Sequence, residues 1–170
     1  MDFNNYVRDI ANFPTAGVGF KDITPLLKDK TAFKAAAKAL LHMVDGQKVD
    51  KVVGMESRGF FFGPVLAVEL EAGFIPVRKV GKLPADKISQ TYDLEYGTDT
   101  LEIHKDSIQK GDKVLIHDDV LATGGTAAAV CTLVEALGGE IVQCNFLIEL
   151  GFLNGKEKLK GHEVHSLLRY

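Results

Sequence analysis

Apolar and polar positions along the chain follow two periods, and their order predicts a succession of helices and strands. Between Phe33 and Val44 apolar side chains recur every three or four residues, as on the buried face of an amphipathic helix. Asp29 or Thr31 can cap the start of this helix, and Gly46 can end it. Further helical patterns cover 59–71 and 127–137, and short apolar runs typical of buried strands cover 49–55, 74–77, 114–116, 141–150 and 164–168.

In the stretch 92–104 the period changes to two. Leu94 and Tyr96 alternate with polar neighbours, and the alternation resumes at Leu101 after a turn at 97–99. This pattern predicts a β-hairpin inserted between two strand–helix–strand units.

The predicted order of elements is typical of an α/β fold with a mostly parallel central sheet flanked by helices. In such sheets ligands bind beyond the carboxyl ends of the strands, where the strand order reverses. If the strands that begin near Val49 and Val114 are neighbours, the loops at 56–59 and 118–126 face each other. We therefore expect the functional site between these two loops.

Composition is ordinary for a globular protein, with 46% hydrophobic and 25% charged residues, and 170 residues suit one domain. A net charge of −3 argues against a dedicated nucleic-acid partner or a basic membrane-binding surface. No signal-peptide pattern or membrane-spanning run is present in the sequence. Cys131 and Cys144 lie in apolar segments, as buried thiols or as a disulfide. A cytoplasmic protein is the expectation.

The most informative segment is 114–126, with the sequence VLIHDDVLATGGT. Asp118 and Asp119 place two carboxylates at the end of a buried strand, and Thr-Gly-Gly-Thr at 123–126 begins a helix. Glycines allow close approach of the backbone, while hydroxyls and free helix N–H groups bind anions. The segment is not a Walker P-loop, because the chain has no GxxxxGK[ST]. Carboxylates beside an anion site suit a sugar phosphate; the alternative is a tight turn without a ligand.

These thirteen residues resemble the phosphoribosyl-diphosphate signature of the type I phosphoribosyltransferases. Three further stretches are similar to adenine-using members of that family: 13–27, 54–64, and 78–84 together with 92–97. The resemblance implies a single domain over 1–170, with a small N-terminal hood at 1–30 that recognises the base. It also implies a flexible loop with a mobile β-hairpin at 79–106.

The resemblance further implies the reaction: adenine and phosphoribosyl diphosphate give AMP and pyrophosphate in purine salvage. It implies Mg²⁺ held mainly by substrate oxygens, without a dedicated set of protein ligands. It implies a homodimer, and neither nucleic acid nor membrane is an expected partner.

Two carboxylates and one loop are expected to hold the sugar phosphate. By resemblance, Asp118 and Asp119 accept hydrogen bonds from the ribose hydroxyls, and the loop at 122–126 surrounds the 5′-phosphate. The expected binders of phosphoribosyl diphosphate or AMP are Arg58, Arg78, Lys79, Lys82, Tyr96, Asp118, Asp119, Ala122, Thr123, Gly124, Gly125 and Thr126.

The catalytic residues implied by the resemblance are Glu95, Arg58, Asp118 and Asp119. Glu95 would exchange the purine proton, and Arg58 would contact pyrophosphate next to a cis peptide at Glu56–Ser57. Arg58 has a plainer alternative as a solvated cation, although a positive charge at a helix start opposes the helix dipole. Arg78 would reach a diphosphate in the site of a partner subunit.

Adenine recognition is assigned by resemblance to Val18, Gly19, Phe20, Lys21 and Leu150. Main-chain groups at Gly19 and Lys21 would read the edge of the base, while Phe20 and Leu150 would sandwich the ring. As an alternative, Phe20 is a core aromatic. The sequence departs from the family in three places: Gly19 replaces a bulkier aliphatic residue, Lys21 stands where the family often has Arg, and His117 precedes the Asp pair. No side-chain role is carried over to Lys21, and His117 is assigned no catalytic role.

Two rival functions remain open. One is phosphoribosyl transfer to another base, such as hypoxanthine, guanine or xanthine, against which the stretch 13–27 argues. The other is a non-catalytic regulator that keeps the sugar-phosphate site and binds nucleic acid. A regulator would need a basic surface or an added helix-turn-helix, for which 170 residues with a charge of −3 leave little room.

Overall fold

The structure is a computed structural model that describes residues 1–93 and 97–170. The chain divides into two compact units, Met1–Ala39 and Leu40–Tyr170. The first unit holds a short 3-10 helix, a two-stranded antiparallel sheet and a short helix: Phe3–Tyr6, β1 (Arg8–Ala11), β2 (Gly19–Asp22) and α1 (Thr24–Lys28).

Helix α2 (Lys30–His42) begins in the first unit and ends in the second. The Asp29 carboxylate accepts hydrogen bonds from the N–H groups of Thr31 and Ala32, at 2.9 and 2.8 Å, so Asp29 is the N-cap. Gly46, just beyond the helix, has a φ of +70°. The start predicted from the sequence is confirmed.

The remaining elements belong to the second unit: β3 (Lys51–Met55), α3 (Gly63–Glu69), β4 (Gly73–Lys79), β5 (Lys87–Asp93), β6 (Thr98–His104), β7 (Lys113–Leu121), α4 (Gly125–Ala136), β8 (Glu140–Glu149), β9 (Val164–Arg169), and 3-10 helices at Arg58–Phe60, Gly151–Leu153 and Gly155–Leu159. The seven strands form one sheet in the order β5-β6-β4-β3-β7-β8-β9. Along the sheet, the neighbouring strands in β4-β3-β7-β8-β9 are parallel to each other. The β4–β6 and β5–β6 pairs are antiparallel. The predicted mostly parallel sheet is confirmed.

The central strands β3 and β7 are direct neighbours, with Val52 opposite Leu115, so the condition on which the expected site depends is met. Both side chains are fully buried, and the core around these strands is built mainly from Val, Ile and Leu. Burial of this kind stabilises the fold by roughly 25 cal/mol per Å² of apolar surface. The two strands therefore hold the loops that follow them on a rigid base.

Strand β7 is longer than the predicted run at 114–116. Its pairing with β3 ends at His117, but its pairing with β8 continues to Leu121, opposite Glu149. Asp118 and Asp119 thus lie within a strand rather than after it. The ten-residue β8 supplies the backbone partners that allow this extension, and the local apolar pattern does not reveal them.

The hairpin prediction is right in kind and wrong in register. Asp93 pairs with Thr98, so Thr98 and Asp99 belong to β6 and not to the predicted turn at 97–99. The predicted strand positions Leu94 and Tyr96 lie outside the described residues. Strand β5 is at the sheet edge, and from Ile88 to Asp93 half-buried side chains alternate with exposed ones, so its polar residues did not distinguish a strand from a loop.

Helix α3 is also shorter than the predicted pattern at 59–71, because a 3-10 turn at Arg58–Phe60 precedes it. None of the helices in the described part of the chain has the length and apolar character needed to cross a membrane.

Candidate active site

The loop after β3 packs directly on β7. The Glu56–Ser57 peptide bond is cis, which confirms the expectation from the resemblance. A Cβ on Gly59 would lie 2.9 Å from the carbonyl oxygen of His117 and 3.1 Å from Asp118 Oδ1. A side chain there would collide with the β7 backbone, so glycine allows the loops after β3 and β7 to meet.

A cavity of about 350 Å³ opens between these loops and the hairpin. It brings together six of the residues expected to bind the sugar diphosphate: Arg58, Lys79, Asp118, Asp119, Ala122 and Thr126. Six further residues line the cavity, and the sequence did not predict a role for their side chains: Glu56, Ser57, Tyr92, Asp99, Leu101 and Val120. The volume suits a small phosphorylated ligand.

The loop between β7 and α4 encloses a second, smaller cavity of about 70 Å³. Gly124 has a φ of +78° at the N-cap of α4, and a Cβ there would lie 2.2 Å from the Gly155 carbonyl oxygen. The α4 backbone begins at this point, so its unpaired N–H groups and positive dipole end are next to the loop. Segment 122–126 therefore has the geometry of an anion site.

The two carboxylates on β7 are electrostatically unusual. Asp119 is 2% exposed, and its Oδ2 lies 3.1 Å from Arg58 Nε. Burial raises the pKa of Asp118 well above its usual range, and the neighbouring charge of Asp119 raises it further. Burial also raises the pKa of Asp119, against the opposing effect of Arg58. A ligand that brings hydrogen-bond donors or positive charge would stabilise the ionised pair.

Glu56 organises the cations beside the cavity, a role that the sequence analysis missed. Its side chain is 8% exposed and accepts hydrogen bonds from Arg78 Nε at 3.2 Å, the Lys79 N–H at 2.9 Å, and Lys82 Nζ. Burial alone would raise the pKa of Glu56, but these donors outweigh burial and lower it to about 2. Arg78 and Lys82 are thus paired with Glu56. The one feature of the sequence that could have indicated this role of Glu56 is its position directly after a buried strand.

Lys79 is paired as well, with its Nζ 2.9 Å from Asp99 Oδ2. Tyr92 is on the opposite strand of the hairpin, and its hydroxyl accepts a hydrogen bond from Thr126 Oγ1 at 3.2 Å. The register of the hairpin, which the sequence did not give, places Tyr92 opposite Asp99 and turns both toward the cavity.

The residues expected to bind adenine are divided between the two units. In the first unit, Val18 is exposed, Gly19 begins β2, Phe20 packs edge-on against Phe13 at 5.0 Å, and Lys21 Nζ is paired with Asp9. In the second unit, the Leu150 N–H donates to the Leu121 carbonyl at 2.9 Å. Their role in binding the base stays a prediction. Glu95 and Tyr96 lie outside the described residues, so their roles stay predictions too.

His117 is fully buried directly before the Asp pair. Its Nδ1 lies 2.7 Å from Asn145 Oδ1, while its Nε2 has no hydrogen-bond partner among the described residues. Burial lowers the pKa of His117 to about 4, although Asn145 acts in the opposite direction. The neutral ring therefore donates from Nδ1 to Asn145 and joins β7 to β8.

In the described part of the chain, no group of three or more His, Cys, Asp and Glu side chains is arranged to hold a metal ion. Asp118 and Asp119 are neighbouring carboxylates that line the larger cavity, and Asp119 lies beside Arg58. Two oxygen donors of this kind suit Mg²⁺ that takes its other ligands from substrate and water.

Comparison with known proteins agrees with this geometry. The phosphoribosyl transferase domain matches residues 23–164. An adenine phosphoribosyltransferase from Flavobacterium johnsoniae is 65% identical over 170 residues, which is the full length of both chains.

Two solved structures are similar over almost the whole chain. The adenine phosphoribosyltransferase of Thermoanaerobacter pseudethanolicus has a TM-score of 0.97 and 50% identity, and 99% of this chain and 98% of that one are covered. The enzyme of Saccharomyces cerevisiae, solved with adenine and an imino-altritol bisphosphate, has a TM-score of 0.93 and 43% identity, with 98% and 97% covered.

Proposed function

This chain belongs to the phosphoribosyl transferase domain family, and we propose that it transfers the phosphoribosyl group of phosphoribosyl diphosphate to adenine, giving AMP and pyrophosphate. One observation carries the proposal: a carboxylate pair, a cation and both ends of the glycine-rich loop at 122–126 line one cavity beyond β3 and β7, and the rest of that loop lines the smaller cavity. Full-length similarity to adenine phosphoribosyltransferases supports adenine as the base.

The 5′-phosphate is proposed to bind the loop at 122–126. Backbone N–H groups at the start of α4 and the hydroxyls of Thr123 and Thr126 supply the donors, and the helix dipole favours the negative charge. The close contact between Gly124 and Gly155 fixes the shape of this loop. The 5′-phosphate thus anchors the sugar before reaction.

The ribose hydroxyls are proposed to donate to Asp118 and Asp119. The raised pKa values of this pair mean that two negative charges are costly in the free site. Donors from the sugar and the Arg58 guanidinium lower that cost, so the carboxylates hold the ring with C1′ toward the base. This positioning makes the reaction effectively unimolecular.

The pyrophosphate is proposed to leave toward Arg58 and the loop at 56–59. In the reaction the N9–C1′ bond forms, the bond from C1′ to the diphosphate oxygen breaks, and pyrophosphate keeps the electron pair. Arg58 stabilises the charge that develops on this leaving group. The N9 proton is assigned to Glu95 as general base.

Mg²⁺ is the proposed cofactor, with Asp118 and Asp119 as the carboxylates that would orient it together with the sugar hydroxyls. Carboxylate oxygens are ligands that Mg²⁺ prefers. Because this site has only two carboxylates, the other coordination positions of the ion are left for substrate and water. Bound Mg²⁺ would supply positive charge to neutralise the diphosphate.

The finer assignments are part of the same proposal. Residues 1–30 form a hood in which Val18–Lys21 recognise adenine, Leu150 also contacts the base, and 79–106 form the loop and hairpin of a single domain. The protein acts as a homodimer in purine salvage in the cytoplasm. Two cysteines that are buried as free thiols, with their sulfur atoms 3.8 Å apart, support a reducing compartment.

A ³¹P NMR time course with adenine, phosphoribosyl diphosphate and Mg²⁺ tests the reaction. We expect AMP and pyrophosphate to appear in equal amounts as the substrate signals disappear. Release of pyrophosphate without AMP would indicate hydrolysis and contradict the proposal, as would an unchanged spectrum. The Asp119→Asn variant is the control for the site and should lower the rate by roughly 100-fold or more.

A further inference from the structure

Tyr92 joins the hairpin to the first turn of α4. Its ring is half-buried, and a Cβ on Gly125 would lie 3.3 Å from Tyr92 Cδ2. The missing side chain at Gly125 thus allows the ring to lie against the start of the helix. The end of β5 packs directly on the loop that is proposed to bind the 5′-phosphate.

The Tyr92 hydroxyl is in the middle of a polar chain that crosses the cavity wall. Thr126 Oγ1 donates to this hydroxyl at 3.2 Å, and the hydroxyl oxygen is 3.5 Å from Asp99 Oδ2. Asp99 in turn holds Lys79 Nζ at 2.9 Å. The chain connects the phosphate loop to both strands of the hairpin and to the end of β4.

The Thr126 hydroxyl has one proton and cannot donate it twice. In this structure the proton is directed to Tyr92, whereas a phosphate bound at 122–126 requires it. Once Thr126 donates to phosphate, its oxygen accepts, and the Tyr92 hydroxyl is placed to donate back to it. Asp99 then loses its 3.5 Å contact with the Tyr92 hydroxyl but keeps its ion pair with Lys79. The Tyr92–Thr126 bond persists with its direction reversed.

We propose that Tyr92 is a positioning residue that ties the β5–β6 hairpin to Thr126, and that a bound 5′-phosphate strengthens this tie, because a hydroxyl that donates to an anion is a better hydrogen-bond acceptor. The inference rests on the proposed function and adds a residue to it that the sequence analysis did not assign. Tyr92 precedes the proposed base, Glu95, by three residues. A hairpin fixed at Tyr92 therefore fixes where the segment that carries Glu95 begins.

The first test is kinetic. Tyr92→Phe keeps the ring against Gly125 and removes only the hydroxyl. We expect kcat to fall about 10-fold, as for loss of one partly buried hydrogen bond, while the KM for adenine changes less than about 2-fold. The Thr126→Val change should lower kcat as well, and adding Tyr92→Phe to it should have little further effect, because the two hydroxyls act as a unit.

Thr91→Val is the matched control. The Thr91 hydroxyl is 2.9 Å from that of Thr100 on the exposed face of the same hairpin, so this change also removes one cross-strand hydrogen bond. It should leave kcat within about 2-fold of the wild type. Equal thermal midpoints for the two variants would show that stability of the hairpin is not the cause.

The second test does not depend on turnover. Amide hydrogen exchange of β5 and β6 is measured with ribose 5-phosphate, AMP or adenosine. We expect the two phosphorylated ligands to slow exchange in the wild type but much less in Tyr92→Phe, and adenosine to have little effect in either. Equal protection in both proteins, or wild-type kcat in Tyr92→Phe, would overturn the role of Tyr92. Absence of AMP formation by the wild type would instead contradict the proposed function.

Discussion

His117 shows how one buried residue couples the candidate site to stability. The pKa of this ring is about 4 in the fold and 6.5 in an unconstrained chain, so the unfolded state binds the proton first as the pH falls. The stabilisation from the neutral ring is complete above about pH 6.5 and is lost progressively down to about pH 4. At about 1.4 kcal/mol per pH unit of difference, the loss is about 3 kcal/mol.

His117→Gln removes this titration and keeps a donor for Asn145. We expect its free energy of unfolding to change between pH 7.5 and 4.5 by about 2 to 3 kcal/mol less than that of the wild type. Urea unfolding at both pH values measures the difference, and the same substitution at the exposed His42 is the control. Parallel pH profiles for wild type and His117→Gln would refute the buried neutral ring.

Glu95 gives a second prediction for a single residue. Glu95→Gln keeps the size of the side chain but removes the base, so kcat should fall by roughly 100-fold, within the usual range for general acid–base catalysis. Adenine affinity should change little, because the residue is assigned to proton transfer and not to base recognition. Steady-state kinetics and equilibrium binding of adenine separate the two quantities. Near-normal turnover would remove Glu95 from the mechanism.

Among the elements, the loop between β7 and α4 depends most on its backbone conformation. Gly124→Ala would place a Cβ 2.2 Å from the Gly155 carbonyl oxygen at a φ of +78°. We expect kcat/KM for phosphoribosyl diphosphate to fall by roughly 100-fold or more, because the loop must move away from its anion-binding geometry.

Gly46→Ala provides the comparison for Gly124→Ala. Gly46 also has a positive φ, +70°, but nothing lies within 4 Å of the added Cβ. This variant should lose about 1 to 2 kcal/mol of stability and keep kcat/KM within about 2-fold. Equal kinetic losses in the two variants would mean that backbone strain alone, and not the contact with Gly155, governs the loop.

The structure shows which elements and contacts could be predicted from the sequence. The order of the main strands and helices from α2 onward followed from local periodicity, whereas β1, β2 and α1 were not predicted and the adjacency of β3 and β7 was only assumed. The length of β7 did not follow from periodicity, because it depends on pairing with β8, which is distant in sequence. Glu56 and Tyr92 were missed as site side chains for the same reason: their partners, Arg78 and Thr126, lie 22 and 34 positions away.

At the scale of the whole molecule, the central question is whether two chains share a site. The resemblance implies that Arg78 would reach a diphosphate in the partner subunit, whereas in the single chain it is paired with Glu56. Sedimentation should give twice the chain mass of 18.5 kDa. A monomer mass at every concentration would contradict the proposed homodimer.

Mixing two inactive variants tests the shared site directly. If Arg78 acts across the interface, equal amounts of Arg78→Ala and Asp119→Asn should regain about a quarter of wild-type activity after subunits exchange. Random pairing makes half of the dimers mixed, and each mixed dimer has one intact site. No recovery would place Arg78 in the site of its own chain.

The base that this molecule uses defines its proposed function. The most direct measurement is product formation by the purified protein with Mg²⁺, phosphoribosyl diphosphate and each of adenine, hypoxanthine, guanine and xanthine in turn. We expect AMP from adenine, with a kcat/KM at least about 100-fold above that for any other base, since mismatched donors and acceptors leave buried polar groups unpaired. Turnover of another base without turnover of adenine would refute adenine as the substrate.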